Sequence, residues 1–573
     1  MKVSDYIVSY LSKLGVRHIF GYPGGMVTHL MDSIYKSSDV VGHIPSHEQG
    51  AGFAACGYAR MNNTIGVVYA TSGPGATNLI TPLCHAYFEA IPVLFITGQV
   101  NRNESKKSLG VRQRGFQETD IIKLVESVTK YAAYVENPED IKFHLDYACY
   151  IATNGRAGSV LLDIPMDVLR ADIEIETLKG YTPNTECDDE SFSVFSEKLS
   201  SCLRNAKRPV LLVGNGVNSS NTKNVLVTFS EKLQIPIVSS MIAVDLFPKD
   251  NECYYGFIGA YGQRCANFII SRCDMILSLG SRLDGRQTGA LLDMFAPDAT
   301  LVRVDVDKYE LENKIKEDEV QIHTDIRDFL PWLAENFVWE KGPIDEWKSY
   351  CDFLREELKY IDNSKPQAII EAISRILPSE AVITTDVGQN QVWVAQSFQV
   401  KKNQSILFSG GHGSMGVSIP SAIGAFYATS RPVYAFCGDG GLQMTIQELQ
   451  WIIRENLPIK ILLLNNNALG MIRHFQELYF EECYAYTVPD GGYSAPNFLH
   501  IAQAYGFRTI SIDSISQVEE CKEQLWDEYP LLIEIKINGD TYSCPKLEFQ
   551  QPLYNQDPKL NDSHIDRLLN WRG

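Results

Sequence analysis

Short, almost unbroken apolar runs alternate with amphipathic stretches along most of the chain. Through the first 180 residues the runs include 64–72 (TIGVVYATS), 91–99 (IPVLFITGQ) and 158–165 (GSVLLDIP). A strand that is apolar at every position is buried on both faces, so the pattern predicts a parallel sheet covered by helices on each side. A polar segment at 181–193 (YTPNTECDDESFS) reads as a linker. The alternation then restarts with 208–216 (RPVLLVGNG), 235–242 (IPIVSSMI), 273–280 (CDMILSLG) and 300–307 (TLVRVDVD), and again with EAVITTDVG, RPVYAFCGDG, PIKILLLNNN and PLLIEIKI. The expected fold class is α/β, with three doubly wound parallel-sheet domains at 1–180, 194–340 and 366–545 and a polar C-terminal arm at 546–573.

Length agrees, since 573 residues exceed what one hydrophobic core supports. The net charge of -19 argues against nucleic acid, whose binding needs clustered Lys and Arg, and leaves a small molecule as the expected partner. The N-terminal stretch MKVSDYIVSYLSKLGV carries Asp5 and reads as an amphipathic helix, not a signal peptide. No run approaches the ~18 apolar residues that span a bilayer. The 13 cysteines form no C-x-x-C pair, which disfavours a metal knuckle or redox dithiol and fits a cytoplasmic location.

Candidate chemistry is densest in the third block. There a strand (VYAFC) runs into Gly438-Asp439-Gly440-Gly441, a helix follows, and a second strand (IKILLLN) ends at Asn465-Asn466. Parallel strands joined by a helix deliver Asp439 and Asn466 to one carboxyl edge, where open α/β sheets bind ligands. A carboxylate, an amide oxygen and a backbone carbonyl are hard ligands suited to Mg²⁺ on a diphosphate, and the glycines let backbone N–H groups approach phosphate. A second segment, Gly411-His-Gly413-Ser-Met-Gly416, matches G-x-G-x-x-G. A dinucleotide reading is rejected here, because no acidic residue follows at about 20 positions. In the first block Glu48 opens a Gly- and Ala-rich helix (SHEQGAGFAACGYAR), where a carboxyl can serve proton transfer or simply favour the helix N-terminus.

The GDG…NN pattern resembles the cofactor signature of thiamine-diphosphate enzymes. With HEQGAGFAACGYAR, GYPGG (21–25), TSGPGATNLIT (71–81), FQET (116–119) and DVGQNQ (386–391), nearly the whole chain is similar to the acetolactate synthase family. The resemblance implies that Glu48 serves the cofactor's pyrimidine N1′, with Gln117 as a second catalytic residue. It implies that Gly413 accepts from the 4′-amino group, that Met415 wedges the cofactor into its bent form, and that Met471 also contacts it. Asp439, Asn466 and the Ala468 carbonyl would bind Mg²⁺, with Gly438, Gly440 and Gly441 beside the diphosphate. The family places Glu48 and the diphosphate site on different subunits, so a homodimer or homotetramer is expected.

The middle block resembles the family's FAD domain. That likeness assigns FAD to Gly214, Gly216, Ser240, Met241, Gly280, Arg282, Asp284, Arg286, Asp305 and Asp325, together with Arg156. Acceptor-side positions depart from the family: Phe475 stands where a tryptophan confines the second keto acid, Met26 replaces a small residue, and Met166 replaces a lysine. The loop 100–115 is longer than expected and carries Arg102, Lys106, Lys107, Arg112 and Arg114, either as a solvated surface or as a phosphate grip. Loop and tail (YSCPKLEF) look most like the family's carboligases that add a two-carbon branch to a keto sugar nucleotide. The implied function is a decarboxylative carboligase using pyruvate, whose acceptor is a keto sugar nucleotide or a 2-keto acid. The alternatives are acetolactate synthase proper, a simple decarboxylase, disfavoured because the chain lacks the adjacent His-His pair of that group, a flavin-linked oxidase on the same scaffold, and an inactive homologue, disfavoured by intact Glu48, Asp439 and Asn466.

Overall fold

Each set of apolar runs condenses into one six-stranded sheet. A computed structural model of the chain describes residues 1–183, 189–339, 344–359 and 361–571. In the first sheet β1 (His18–Gly21), β2 (Val41–His43), β3 (Gly66–Ala70), β4 (Val93–Gln99), β5 (Tyr131–Tyr134) and β6 (Ser159–Pro165) lie in the order β2-β1-β3-β4-β6-β5. The second contains β7 (Pro209–Val213), β8 (Ile237–Ser239), β9 (Tyr254–Phe257), β10 (Met275–Leu279), β11 (Thr300–Asp305) and β12 (Val320–His323), ordered β12-β11-β10-β7-β8-β9. The third contains β13 (Val382–Thr385), β14 (Ser405–Leu407), β15 (Val433–Gly438), β16 (Ile459–Asn465), β17 (Arg508–Ile512) and β18 (Leu531–Lys536), ordered β14-β13-β15-β16-β18-β17. Every neighbouring pair in these sheets is parallel, and strands such as Ser159–Pro165 are buried at each position. The chain is an α/β protein of three domains.

The first and third sheets repeat one strand order, while the central sheet has the order of dinucleotide-binding folds, read from its far edge. The dinucleotide topology therefore belongs to the middle domain, not to the GHGSMG segment of the third. The first and third domains meet through helices Glu48–Asn62 and Ser418–Thr429, whose Ala51, Ala54, Ile419 and Ala422 share one core. Glycines make the close crossing possible: a Cβ at Gly57 would lie 2.2 Å from the Ser421 carbonyl oxygen, and one at Gly424 would lie 1.9 Å from that of Ala54.

The polar segments are more structured than their composition suggests. Of the expected linker 181–193, residues 184–188 lie outside the described residues, and a helix already begins at Asp189 and runs to Asn205. Its Phe192, Leu199 and Leu203 pack with Phe329 and Leu333, so a 3.6-residue apolar stripe outweighs a polar average. Beyond the expected domain end at 340, helix Asp345–Leu358 buries Trp347, Tyr350, Cys351 and Leu354 against the central domain. The C-terminal arm lies over the same domain. Strands β19 (Lys546–Leu547) and β20 (Gln556–Asp557) pair antiparallel, Arg264 donates to the carbonyls of Gln556 and Pro558, and Leu568 is fully buried.

Candidate active site

Register sets the chemistry of the third domain. Gly438 at the end of β15 pairs with Leu464 of β16, so Asp439 and Asn466 leave adjacent strands side by side. Both are buried. The Asn466 side-chain oxygen lies 3.1 Å from Asp439 Oδ1 and 2.9 Å from the Ala468 carbonyl oxygen, with no donor between them. Exchanging the amide's oxygen and nitrogen would supply donors there, but would turn the oxygen onto Gln389 Oε1, which now accepts from Asn466 Nδ2 at 3.0 Å. Gln389 cannot compensate by rotating, because its Nε2 already donates to Thr541 O at 3.2 Å. The Asn466 oxygen thus stands beside two other acceptors, a spacing that a cation among them would relieve. Adjacent ligands of an octahedral Mg²⁺ with bonds of about 2.1 Å stand about 3.0 Å apart, which matches. Asn467, at φ 49°, turns the backbone that aims the Ala468 carbonyl. Burial pushes the Asp439 carboxyl up to about 6 against the hydrogen bond from Tyr493 Oη at 2.8 Å. Among the described residues no group of three or more His, Cys, Asp or Glu could hold a metal, so a cation here would have one carboxylate and otherwise neutral oxygens.

Of the glycines beside it, Gly441 has the least room for a side chain. A Cβ at Gly441 would meet Asp386 Oδ1 at 2.4 Å, and one at Gly440 would meet Met415 Cε at 3.1 Å. Asp386, pushed up to about 6 by burial, accepts from the amides of Val387, Gly416 and Ser418 and so fixes the loop that carries Gly413 and Met415. Gly413 has φ 73°, open space where a Cβ would stand, and an exposed position. This loop and the metal-type site share one carboxyl edge.

On the first domain's edge, Glu48 begins its helix, with the His47 side chain accepting from Gln49 N as cap. Within one chain Glu48 is half-buried and accepts from Asn78 Nδ2 at 3.0 Å. Gly75 packs on Glu48, and Gly73 packs on Gln117, whose φ is 63°. Glu48 and Gln117 therefore sit on neighbouring loops of one corner. Met26 is tied to that corner by its amide, which donates to Thr71 Oγ1 at 3.2 Å.

A cavity of about 650 Å³ opens where the three domains meet, within the range of small-molecule sites. Its lining includes Arg156, Gly216, Ser240, Met241, Gly280, Arg282, Asp284, Arg286, Asp305, Asp325, Met471 and Phe475. It lies at the switch point of the central sheet, where the loops after β7 and β10 touch: a Cβ at Gly214 would be 2.1 Å from the Gly280 carbonyl oxygen. The buried Ser240 Oγ has no partner among the described residues, as expected of a group kept for a ligand. Two of the arginines expected to contact FAD are already paired: Arg156 with Asp307 and Glu310 at 3.1 and 2.5 Å, and Arg282 with Asp284 at 2.5 Å. Arg286 has no acid partner among the described residues. Asp325 caps helix Ile326–Asn336 by accepting from Arg327 N.

Met26, Met166, Arg112 and Arg114 do not line this cavity, so the expected acceptor pocket is not assembled within one chain. The long loop is folded around Glu118, which accepts from Ser105 Oγ and the amides of Lys106, Arg114 and Gly115. Those hydrogen bonds hold the Glu118 carboxyl below its ordinary range despite burial. Arg102 pairs with Asp167 at 2.7 Å, Lys106 Nζ donates to Arg112 O, and Arg114 donates to Ser105 O. Only Lys107 and Arg112 keep side chains without a described partner.

Comparison with known proteins decides the family. Residues 1–124 match the N-terminal TPP binding domain of thiamine pyrophosphate enzymes, 196–333 their central domain, and 386–535 their C-terminal TPP binding domain. The acetolactate synthase large subunit of Lactococcus lactis is 34% identical over 556 residues, 95% of this chain and 94% of that protein. That of Corynebacterium glutamicum is 37% identical over 561 residues, 94% of this chain and 87% of the relative. The chain belongs to the acetolactate synthase family. The isozyme 2 large subunit of Escherichia coli is 34% identical over 548 residues, 94% of this chain and 96% of the relative. As a member of the family, the chain is a thiamine-diphosphate-dependent enzyme that forms carbon–carbon bonds. No helix among the described residues is long and apolar enough to cross a membrane.

Four residues at this member's site escape the sequence reading: Asp386, Gln389, Tyr493 and Glu118. Asp386 and Gln389 lie in the quoted segment DVGQNQ, and that likeness was the one available signal for them. Glu118 lies likewise in the quoted segment FQET, whereas nothing local marks Tyr493, whose partner Asp439 is found only by folding.

Proposed function

We propose that this enzyme removes carbon dioxide from pyruvate and adds the remaining two-carbon unit to the carbonyl of a second substrate. The observation that carries the reading is the cluster of oxygens from Asp439, Asn466 and Ala468, in which the Asn466 side-chain oxygen faces only acceptors, an arrangement that suits Mg²⁺ on a diphosphate. Bound thiamine diphosphate supplies the carbon nucleophile and electron sink for the decarboxylation. Gly438, Gly440 and Gly441 leave room for the diphosphate, Gly413 accepts from the cofactor's amino group, and Met415 with Met471 fills the space against its rings. Glu48 exchanges the proton of the pyrimidine nitrogen, and Gln117 borders the same corner. Because Glu48 faces Asn78 within its own chain, the active unit is a homodimer or homotetramer in which two chains complete each site. FAD occupies the central cavity, with Ser240, Met241 and Arg286 among its contacts.

Arg286 and Phe475 line one cavity, and Arg286 lacks an acid partner among the described residues. This favours a 2-keto acid as acceptor, hence acetolactate formation, the activity in the relatives' names. A keto sugar nucleotide is the second reading, favoured by the exposed Lys107 and Arg112 of the Glu118 loop. The test incubates enzyme, thiamine diphosphate, Mg²⁺, FAD and pyruvate with and without each acceptor class and identifies products by mass spectrometry. Rapid acetolactate from pyruvate alone, unaffected by Lys107→Ala and Arg112→Ala, supports the first reading. A branched sugar product whose KM rises in those variants supports the second, and release of acetaldehyde alone refutes both.

A further inference from the structure

Two buried carboxylates cross between the first and third domains in opposite directions. Glu89 follows helix Ile80–Phe88 of the first domain and accepts four hydrogen bonds from the third: Ser409 Oγ at 3.1 Å, Gly410 N at 3.1 Å, Gly411 N at 2.7 Å and His412 N at 3.1 Å. Arg60, from the same domain, donates to Phe408 O at 2.7 Å. The gripped segment runs directly into Gly413 and Met415. In return Glu448 of the third domain accepts from Ser46 N at 2.9 Å, and the neighbouring Gln447 carbonyl accepts from Ser46 Oγ at 3.0 Å. Ser46 and His47 lead directly into Glu48. A Cβ at Gly50 would lie 2.4 Å from Glu448 Oε1, so the glycine after Gln49 is what admits the carboxylate.

The two contacts are counterparts, because the two domains share a strand order and meet face to face. We propose that Glu89 and Glu448 are paired positioning residues, each domain using a buried carboxylate to set the cofactor-facing segment of the other. The proposal rests on reading Glu48 and Met415 as cofactor contacts. Neither carboxylate belongs to a surface ion pair, and their work is on backbone amides, which fixes a loop's path rather than its charge. The two differ in state. Burial pushes Glu89 up, but His85, the Gly411 amide and Arg60 bring it below its ordinary value, whereas burial leaves Glu448 at about 7. Glu89 therefore needs its charge, and Glu448 needs only an oxygen.

The experiment uses the full-length enzyme. Glu89→Gln presents an NH2 group to amide donors, and the concentration of thiamine diphosphate for half-saturation should rise at least about tenfold, the lower range for losing a residue that orients a ligand contact. The KM for pyruvate should change less than twofold, and backbone amides 410–412 of the cofactor-free protein should exchange faster. Glu448→Ala should lower kcat by about tenfold with little change in cofactor saturation and faster exchange at 46–48, and Glu448→Gln should restore kcat because its oxygen still accepts. Should Glu89→Gln fail to fold, Glu89→Asp, which keeps the charge and withdraws it by one methylene, is read by the same exchange and saturation measurements. Faster exchange with unchanged cofactor saturation, or no change in exchange, overturns the role of Glu89. Failure of Glu448→Gln to rescue overturns that of Glu448. Met415→Ala, run alongside, separates the two levels. If it too leaves cofactor saturation unchanged, the cofactor reading has failed rather than the positioning.

Discussion

Replacing Asp439 by Asn tests the site where geometry is most demanding. Asp439 supplies the one carboxylate of the oxygen cluster, with Asn466 at 3.1 Å from it and the Ala468 carbonyl 2.9 Å from Asn466. The variant keeps the shape and removes the charge, and its new NH2 group can satisfy Asn466 without any cation. Loss of residues that merely orient metal ligands costs about 10- to 100-fold in affinity, so loss of a charged ligand should raise the half-saturating Mg²⁺ concentration at least about 100-fold. The pH dependence gives a second readout with a defined sign. The carboxyl lies at about 6, above its ordinary 3.8, and only the ionised form binds the cation. Affinity is therefore complete above about pH 7 and falls as pH drops through about 6, with roughly a tenth of the sites ionised at pH 5. Wild type should need about tenfold more Mg²⁺ at pH 5 than at pH 7.5, and Asp439→Asn should lack that component. Titration of Mn²⁺ by electron paramagnetic resonance, at saturating thiamine diphosphate, measures both. Proton binding by the cofactor's own phosphates is common to the two proteins and cancels in the comparison. An Asp439→Asn enzyme with the metal requirement and pH slope of wild type would refute the assignment of this cluster.

Three further outcomes are expected. Glu48→Gln should lower turnover by roughly 10²- to 10⁴-fold, the range for a positioned proton-transfer group, with cofactor binding retained; steady-state rates near wild type remove Glu48 from the reaction. Gly424→Ala places a methyl 1.9 Å from the Ala54 carbonyl oxygen and should cost about 1–3 kcal/mol or more through overpacking, read as a lower urea midpoint. An unchanged midpoint would mean that the two helices do not cross as described. The purified protein should be yellow and release FAD on denaturation, while Ser240→Trp, which fills the central cavity, should be colourless; equal flavin content in both proteins would place FAD elsewhere or nowhere.

The chain's local patterns determined its architecture. Runs such as 158–165 are apolar at every position, and a continuous run of that length has few stable solutions other than a strand covered on both faces. Gly438-Asp439-Gly440 after one strand and Asn466 after the next were likewise legible, because adjacent parallel strands end on one edge whatever surrounds them. Glu48 was legible from the length of its segment, and its half-buried setting was not, since burial depends on what packs over the helix start. Tertiary structure alone decided which charges were free. By sequence Arg156 and Arg282 are FAD contacts and Arg102 is either solvated or a phosphate grip, and folding brings Asp307 with Glu310, Asp284 and Asp167 against them. It also decided the roles of Glu89, Glu118, Asp386 and Glu448, whose partners are mostly backbone amides, in two cases in another domain. Periodicity and turn chemistry act over a few residues and are written in the sequence order. A buried carboxylate answers to whichever donors the packed chain brings near it, and the order of residues does not record that neighbourhood.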